Sequence, residues 1–375
     1  MREQEPGRCA NQRPAVYGSG LLALDVVFSA QRPGSSWSAA GGTCGNVLAA
    51  LSFLGWNSYP IARLNGDPAS RRLQEDLSDC EVDLGLASQQ PPAPTPIIVQ
   101  VILRESDGNS RHKFLLACPE CRRWLPRFRP ITREGALDVI EKLGSASSAL
   151  PSPKVFFFDR VSRSTLLLAK AFGELGALVV FEPSGVGQPE LFEEAANVAH
   201  ILKYSRERMP ALSGRIFPRQ GRLIEIETLG ASGLRFRSRL RPTSAWRSLP
   251  AVEAPVMLDT AGAGDWCTAA FLLAVGSSGA KGLARASADA IEEGLHFAQG
   301  AAAVACAFEG ARGLMKALSA EKLHWAVEAL LSARAQVESG ILREALTNPP
   351  RRSVCGEQGA ARHRSPLHSV CPGCR

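Results

Sequence analysis

The segment Asp259-Thr260-Ala261-Gly262-Ala263-Gly264-Asp265 places two carboxylates and two glycines directly before the apolar run Trp266-Cys267-Thr268-Ala269-Ala270-Phe271-Leu272-Leu273. Small residues let the backbone turn tightly and let a ligand come close to it. The apolar run reads as a helix, and the first N–H groups of a helix have no partner within it. Those groups and the helix dipole attract anions. A phosphate would sit against Gly262, Ala263 and Gly264, with Asp265 beside it. A carboxylate in that place can take the proton of an attacking hydroxyl. The chemistry that fits is phosphoryl transfer to a small alcohol. The plainer reading of the same residues is a tight turn that lets a helix pack closely.

A second segment agrees with the first. Gly41-Gly42-Thr43-Cys44-Gly45-Asn46 opens another apolar stretch that runs to Gly55, a C-terminal helix stop. Upstream, residues 16–25 read as a first strand that delivers Asp25 near its end. Asp25, Gly42 and Asn46 together could hold sugar hydroxyls. Asn65-Gly66-Asp67 follows a short strand and precedes a further helix.

These two strings resemble the signatures of the PfkB or ribokinase-like carbohydrate kinases, a GG-x-x-x-N near the N-terminus and a DTxGAGD near the C-terminus. Two weaker similarities accompany them. Ile226-Glu227-Thr228-Leu229-Gly230-Ala231-Ser232-Gly233 resembles that family's nucleotide-side strand and turn. Residues 299–311 resemble its late adenine-side helix and loop. The resemblance covers roughly residues 15–330. It implies a three-layer α/β/α fold with a mostly parallel central sheet and a small β lid. It also implies ATP as donor and Mg²⁺ arriving with it. Asp265 would be the general base and the turn at 262–264 the anion hole. Asp25, Gly42 and Asn46 would bind the acceptor, while Thr228, Gly230 and Gly233 would line the ATP site. Asp259 and Thr260 lie where some members hold K⁺, which leaves potassium activation open.

One departure bears on the metal. The family's N-x-x-E motif, which organises the metal's water shell, is replaced by Ser205-Arg206-Glu207-Arg208, and its Asp-Pro-Asn by Glu182-Pro183-Ser184. Either the metal is held differently, with Glu182 as one option, or the chain is a catalytically weak sugar- or nucleotide-binding sensor. The resemblance does not name the acceptor.

Composition narrows the class. At 375 residues with 45% hydrophobic and 21% charged residues, the chain reads as an ordinary globular protein of one large α/β unit or two domains. No run approaches about 18 consecutive apolar residues, so no transmembrane helix is expected. The first residues contain acidic side chains and no apolar core, so no secretory signal is expected and a cytoplasmic location is the default. The net charge of +7 is spread along the chain except at residues 122–129 and in the tail. No nucleic-acid-binding module is visible, so small-molecule partners are expected instead. A homodimer is among the assemblies left open.

Strand-like runs at 155–159, 178–182 and 201–204 alternate with helical stretches, which argues for a mostly parallel sheet. Ligands gather at the C-terminal ends of such strands, so Asp159, Arg160, Glu182 and Ser184 are further site candidates. An Asp-Gly turn at 107–108 between two β-rich runs predicts a hairpin over about 97–116, the lid of the resemblance. Residues 1–14 read as a loose N-terminus, 15–345 as the kinase domain, and 346–375 as a basic, cysteine-containing flexible tail. Of ten cysteines, Cys44, Cys267 and Cys306 sit in apolar runs and read as buried hydrophobes. Cys118-Pro-Glu-Cys121 and Cys371-Pro-Gly-Cys374 are C-x-x-C pairs, each able to supply half of a Cys₄ zinc site, and Cys355, His363 and His368 offer a second way to complete a site within the tail. The separation of the two pairs exceeds ordinary zinc-ribbon spacing, and reduced surface thiols are the plainer reading.

Overall fold

The run Lys154-Val155-Phe156-Phe157-Phe158 is apolar on both faces, which suits a strand covered on both sides. Val155 and Phe157 enter one core, while Phe156 and Phe158 enter another. The next strand repeats this, with Leu178 and Val180 on the first side and Val179 and Phe181 on the second. That period of two makes the three layers. We describe them from a computed structural model covering residues 13–29, 36–104, 110–145, 147–212, 223–240, 245–332 and 365–374.

The strands are β1 (Ala15–Gly18), β2 (Ala23–Ser29), β3 (Ser36–Gly41), β4 (Asn57–Pro60), β5 (Ile97–Arg104), β6 (Ser110–Leu115), β7 (Pro153–Phe158), β8 (Leu178–Phe181), β9 (Ile201–Ser205), β10 (Ile224–Thr228), β11 (Leu234–Ser238) and β12 (Arg247–Leu249). The central sheet has eight strands in the order β12-β11-β10-β9-β8-β7-β1-β4. It is parallel from β4 to β10, and β11 and β12 add an antiparallel edge. The small sheet has four strands in the order β3-β2-β5-β6. Its central pair, β2 and β5, is parallel, and its two outer pairings are antiparallel.

The helices are α1 (Thr43–Phe53), α2 (Pro68–Ser78), α3 (Arg133–Gly144), α4 (Arg163–Glu174), α5 (Pro189–Val198), α6 (Ala263–Val275), α7 (Gly279–Ala284), α8 (Ala288–Ala305), α9 (Gly313–Ala317), α10 (Ala320–Leu331) and α11 (Leu367–Val370). Residues of α1, α6, α8 and α10 fill the first core, and residues of α3, α4 and α5 the second. Several helices begin on side-chain caps. Asp67 accepts from Ser70 N–H at 2.7 Å, and Ser162 from Thr165 N–H at 3.0 Å. Gly55, at φ 91°, follows the α1 C-cap as the left-handed stop. Cys44, Cys267 and Cys306 are buried. Among the described residues no helix is long and apolar enough to cross a membrane.

Two expectations change. Residues 16–25 form not one strand but two, in different sheets. The chain breaks at Gly18-Ser19-Gly20, where a Cβ on Gly20 would collide with the Asp159 carboxylate. Asp25 therefore sits inside β2 of the small sheet. The tail also differs, since residues 365–374 are packed. Leu367, Val370 and Cys371 are buried against Leu24, Val26, Ile97 and Val99 of the small sheet. Burying each such side chain contributes roughly 1.5–3 kcal/mol, set against the conformational entropy of ordering the segment. The Asp-Gly turn at 107–108, residues 1–12 and the tail up to 364 lie outside the described residues.

Candidate active site

Helix α6 is apolar nearly all round, and residues 266–272 are buried, so its position is fixed by packing. Trp266 pins its first turn. The indole N–H donates to Ala311 O at 2.9 Å, and the ring meets Phe53 of α1 edge-on. Gly262 is the N-cap in the left-handed region at φ 76°. A Cβ there would lie 2.5 Å from that of Ala311, so the approach of the 311 loop also requires glycine. Asp259 locks the turn from the other side. Its two carboxylate oxygens accept from Ala261 N–H at 2.9 Å and Gly310 N–H at 2.8 Å. Gly264 is exposed, and a Cβ there would meet only Lys203 Nζ, at 3.9 Å.

Asp265 is the third residue of α6, and Asn46 of α1 reaches it. The Asn46 amide donates to Asp265 Oδ2 at 2.7 Å. Glycine makes that approach possible too. Gly42 caps α1 at φ 82°, and a Cβ there would strike Leu21 O at 2.3 Å. A Cβ on Gly41 would enter the Asp25 carboxylate. The two glycine-led helix starts thus face one another, with Asp25 on the adjoining strand. Gln100 of β5 donates to Asp25 Oδ2 at 2.8 Å. Asp25 Oδ1 and Asn46 Oδ1 are buried with no hydrogen-bond partner. Two buried acceptors without a partner ask for donors from outside the protein.

Burial pushes the Asp265 carboxyl up to about 7; Glu182 adds to the rise, while Asn46, Lys203 and Arg208 oppose it. Asp25 is likewise pushed up to about 7 by burial, with Arg312 and Gln100 opposing and Asp265 adding. A carboxyl group poised near neutrality is suited to taking and releasing a proton.

Three residues at the site carried no functional assignment from the sequence. Lys203 is buried and donates to Glu182 at 2.5 Å and to Gly264 O at 3.1 Å. Burial works against its charge, but Glu182, Cys267 and Asp265 together outweigh it, and its pKa is raised. Thr268 donates to the other oxygen of Glu182. Arg312, 9% exposed, pairs with Asp76 at 3.1 Å and supplies positive charge towards Asp25. Lys203 had a signal, being the one charge inside the buried run 201–204. Arg312 had none.

The other candidates divide. Glu182 belongs to the site but is engaged by Lys203 and Thr268. Asp159 is buried, accepts from Leu21 N–H at 2.8 Å and pairs with Arg160, which makes it a brace for the β1–β2 connection. Thr228 ends β10 opposite Ser205. Gly230 and Gly233 follow it at positive φ, and a Cβ on Gly233 would lie 2.3 Å from Leu249 O. Thr228 lies at the C-terminal end of β10, which runs parallel to β9, and Gly230 and Gly233 lie in the turn that leads into the antiparallel β11. Ser205 closes β9, and residues 206–208 form the turn after it.

The sequence matches no protein-family model and no curated protein. Solved structures do match. A ribokinase of Arabidopsis thaliana complexed with ribose and ATP is 19% identical, with a TM-score of 0.56, over 84% of this chain and 99% of that one. An aminoimidazole riboside kinase of Salmonella enterica, complexed with its riboside and an ATP analogue, is 19% identical, with a TM-score of 0.58, over 83% and 99%. A sugar kinase of Pyrococcus horikoshii is 22% identical, with a TM-score of 0.59, over 83% and 99%. This chain has the ribokinase-like fold.

Proposed function

We propose that the protein is an ATP-dependent phosphotransferase that phosphorylates a hydroxyl of a sugar or sugar-like molecule. The observation that carries this reading is the meeting of Asn46 and Asp265 at the start of α6, beside the unpartnered oxygens of Asp25 and Asn46. Those oxygens would accept from the acceptor's hydroxyls, and the backbone of Gly42 gives them room. Asp265 would take the proton of the attacking hydroxyl. The amides around Gly262, Ala263 and Gly264 would stabilise charge on the phosphoryl group in flight. Thr228, Gly230 and Gly233 would line the nucleotide. The ATP-bound and sugar-bound complexes among structures of this fold support the pairing of ligands. ATP dependence fits a cytoplasmic site of action.

The residues that would hold Mg²⁺ directly do not fit that role. Ser205 and Arg208 are not carboxylates, and Glu182 is already neutralised by Lys203. Mg²⁺ would come bound to ATP and be held through phosphate and water. Asp259 would act on potassium activation through the loop it braces, and a comparison of rates in KCl and NaCl tests this.

The same engaged Glu182 favours a second reading, a sugar- or nucleotide-binding protein with weak turnover. An ADP-release assay over sugars, nucleosides and sugar phosphates, run with calorimetric titration of each, separates the two. Binding of a sugar and ATP without ADP release would establish the second.

A further inference from the structure

We propose that Cys118, Cys121, Cys371 and Cys374 bind one zinc ion, which fastens the C-terminal segment to the small sheet. The four sulfurs come from two C-x-x-C pairs some 250 residues apart, yet all lie within 4.8 Å of one another. Cys118 Sγ is 3.5 Å from Cys374 Sγ, and Cys121 Sγ is 3.8 Å from Cys371 Sγ. A tetrahedral zinc with bonds of about 2.3 Å to sulfur needs sulfurs about 3.8 Å apart. The sulfurs are far beyond the roughly 2.05 Å of a disulfide. Each pair contributes one sulfur to each short contact, so the two turns interlock.

The backbone around both pairs is shaped for this. In the first, Ala117 and Trp124 form an antiparallel bridge, and Cys118 N–H donates to Arg123 O at 2.8 Å. Arg122 N–H donates back to Cys118 O at 2.9 Å, and Arg122 takes φ 60°, a strained angle for a residue with a side chain. The result is a tight hairpin that turns both sulfurs the same way. In the second, Cys371 N–H closes on Leu367 O at 2.8 Å, which ends α11. Gly373 then passes so close that a Cβ on it would lie 2.8 Å from Cys121 Sγ. Cys118 and Cys371 are buried beside Leu24, Val26, Val99 and Leu367.

Soft thiolates in a tetrahedral set select zinc over the hard cations. Each thiol gives up its proton to solvent on binding, so the four form one site only when the metal is there to replace the protons. Four thiolates around Zn²⁺ leave about two negative charges, next to Arg122 and Arg123 in sequence. The overlapping set Glu120, His368 and Cys374 shares one sulfur with this site, but Glu120 and His368 are exposed and offer harder donors. The site lies on the small sheet, apart from Asp265, and the proposal does not depend on the phosphotransferase reading. A helix of four residues with few buried side chains is the kind of element that a metal staple holds down.

The test is the metal content of the full-length protein, purified under reducing conditions and analysed by mass spectrometry. We expect about one zinc per chain, retained through dialysis. Replacing zinc with Co²⁺ should give the strong thiolate charge-transfer absorption of tetrahedral cobalt. The double variant C371S/C374S should lose the zinc, whereas C80S and H368A should keep it. Wild-type protein that holds no zinc and takes up no Co²⁺ would overturn the proposal. So would iron in its place, a pair of disulfides in freshly reduced protein, or full zinc in the double variant. Should the double variant fail to fold, the wild-type metal count and cobalt spectrum decide alone.

Discussion

Asn46 Nδ2 stands 2.7 Å from Asp265 Oδ2, a hydrogen bond between residues 219 positions apart. It ties the helix that follows one glycine pair to the helix that follows the other. It also lowers the proton affinity of a carboxyl that burial raises. The same contact that locates this carboxyl therefore tunes it.

Asp265→Asn keeps the size of the side chain and an oxygen for Asn46 but removes the base. A positioned general base contributes about 10²- to 10⁴-fold. Single-turnover measurements should show a loss of at least about a hundredfold, with ATP affinity by titration nearly unchanged. Near-full turnover would remove Asp265 from the mechanism.

The pH profile follows from the raised carboxyl. Asp265 must be ionised to act, so turnover should fall as pH drops through about 7. Stability runs the other way. Asp25 and Asp265 are both raised far above the ordinary carboxylate range, so the fold prefers them protonated. Their favourable contribution is full at acid pH and is lost as pH rises through about 7. In thermal melts, D265N should flatten that decline. A profile with no inflection near neutrality would contradict the assignment.

Asn46→Ala removes the donor that opposes burial. The acid limb of the rate profile should move to higher pH, and the KM for the acceptor should rise while that for ATP stays put. A variant with both KM values raised equally would point to a purely structural Asn46.

Gly262 and Gly264 should respond differently to alanine. Gly262→Ala meets Ala311 at a positive φ and should lower the melting temperature. Gly264→Ala meets no protein atom closer than Lys203 Nζ at 3.9 Å, so the fold should hold. Its methyl would nevertheless stand before the first turn of α6, and the KM for ATP should rise. Normal ATP kinetics in G264A would mean that phosphate does not approach there.

Lys203→Met leaves Glu182 buried without its cation. Breaking a buried pair in this way costs about 3–5 kcal/mol, readable by urea denaturation. Adding Glu182→Gln should recover part of the loss, since the stranded charge is then gone.

Much of the site was legible because each glycine-led segment carries its own local chemistry. A glycine pair before Asn46 and a Gly-Ala-Gly before Asp265 announce helix starts and polar groups in single short strings. The small sheet was legible only in part. The β5 and β6 runs show as a hairpin, but the break at Gly18-Ser19-Gly20 depends on Asp159, which fills the space beside Gly20 and accepts from Leu21 N–H across 138 positions. Lys203, Arg312 and the meeting of the cysteine pairs depend on similar long-range contacts. No local pattern encodes a partner that arrives from the far end of the chain.

Asp25 belongs to the small sheet, whereas Asp265 belongs to a helix of the main body. Their mutual repulsion adds to a rise that burial dominates. The cost of ionising Asp25 therefore depends on a group that another part of the fold carries, so the net charge of the site is a joint property of the sheet and the body and belongs to neither alone.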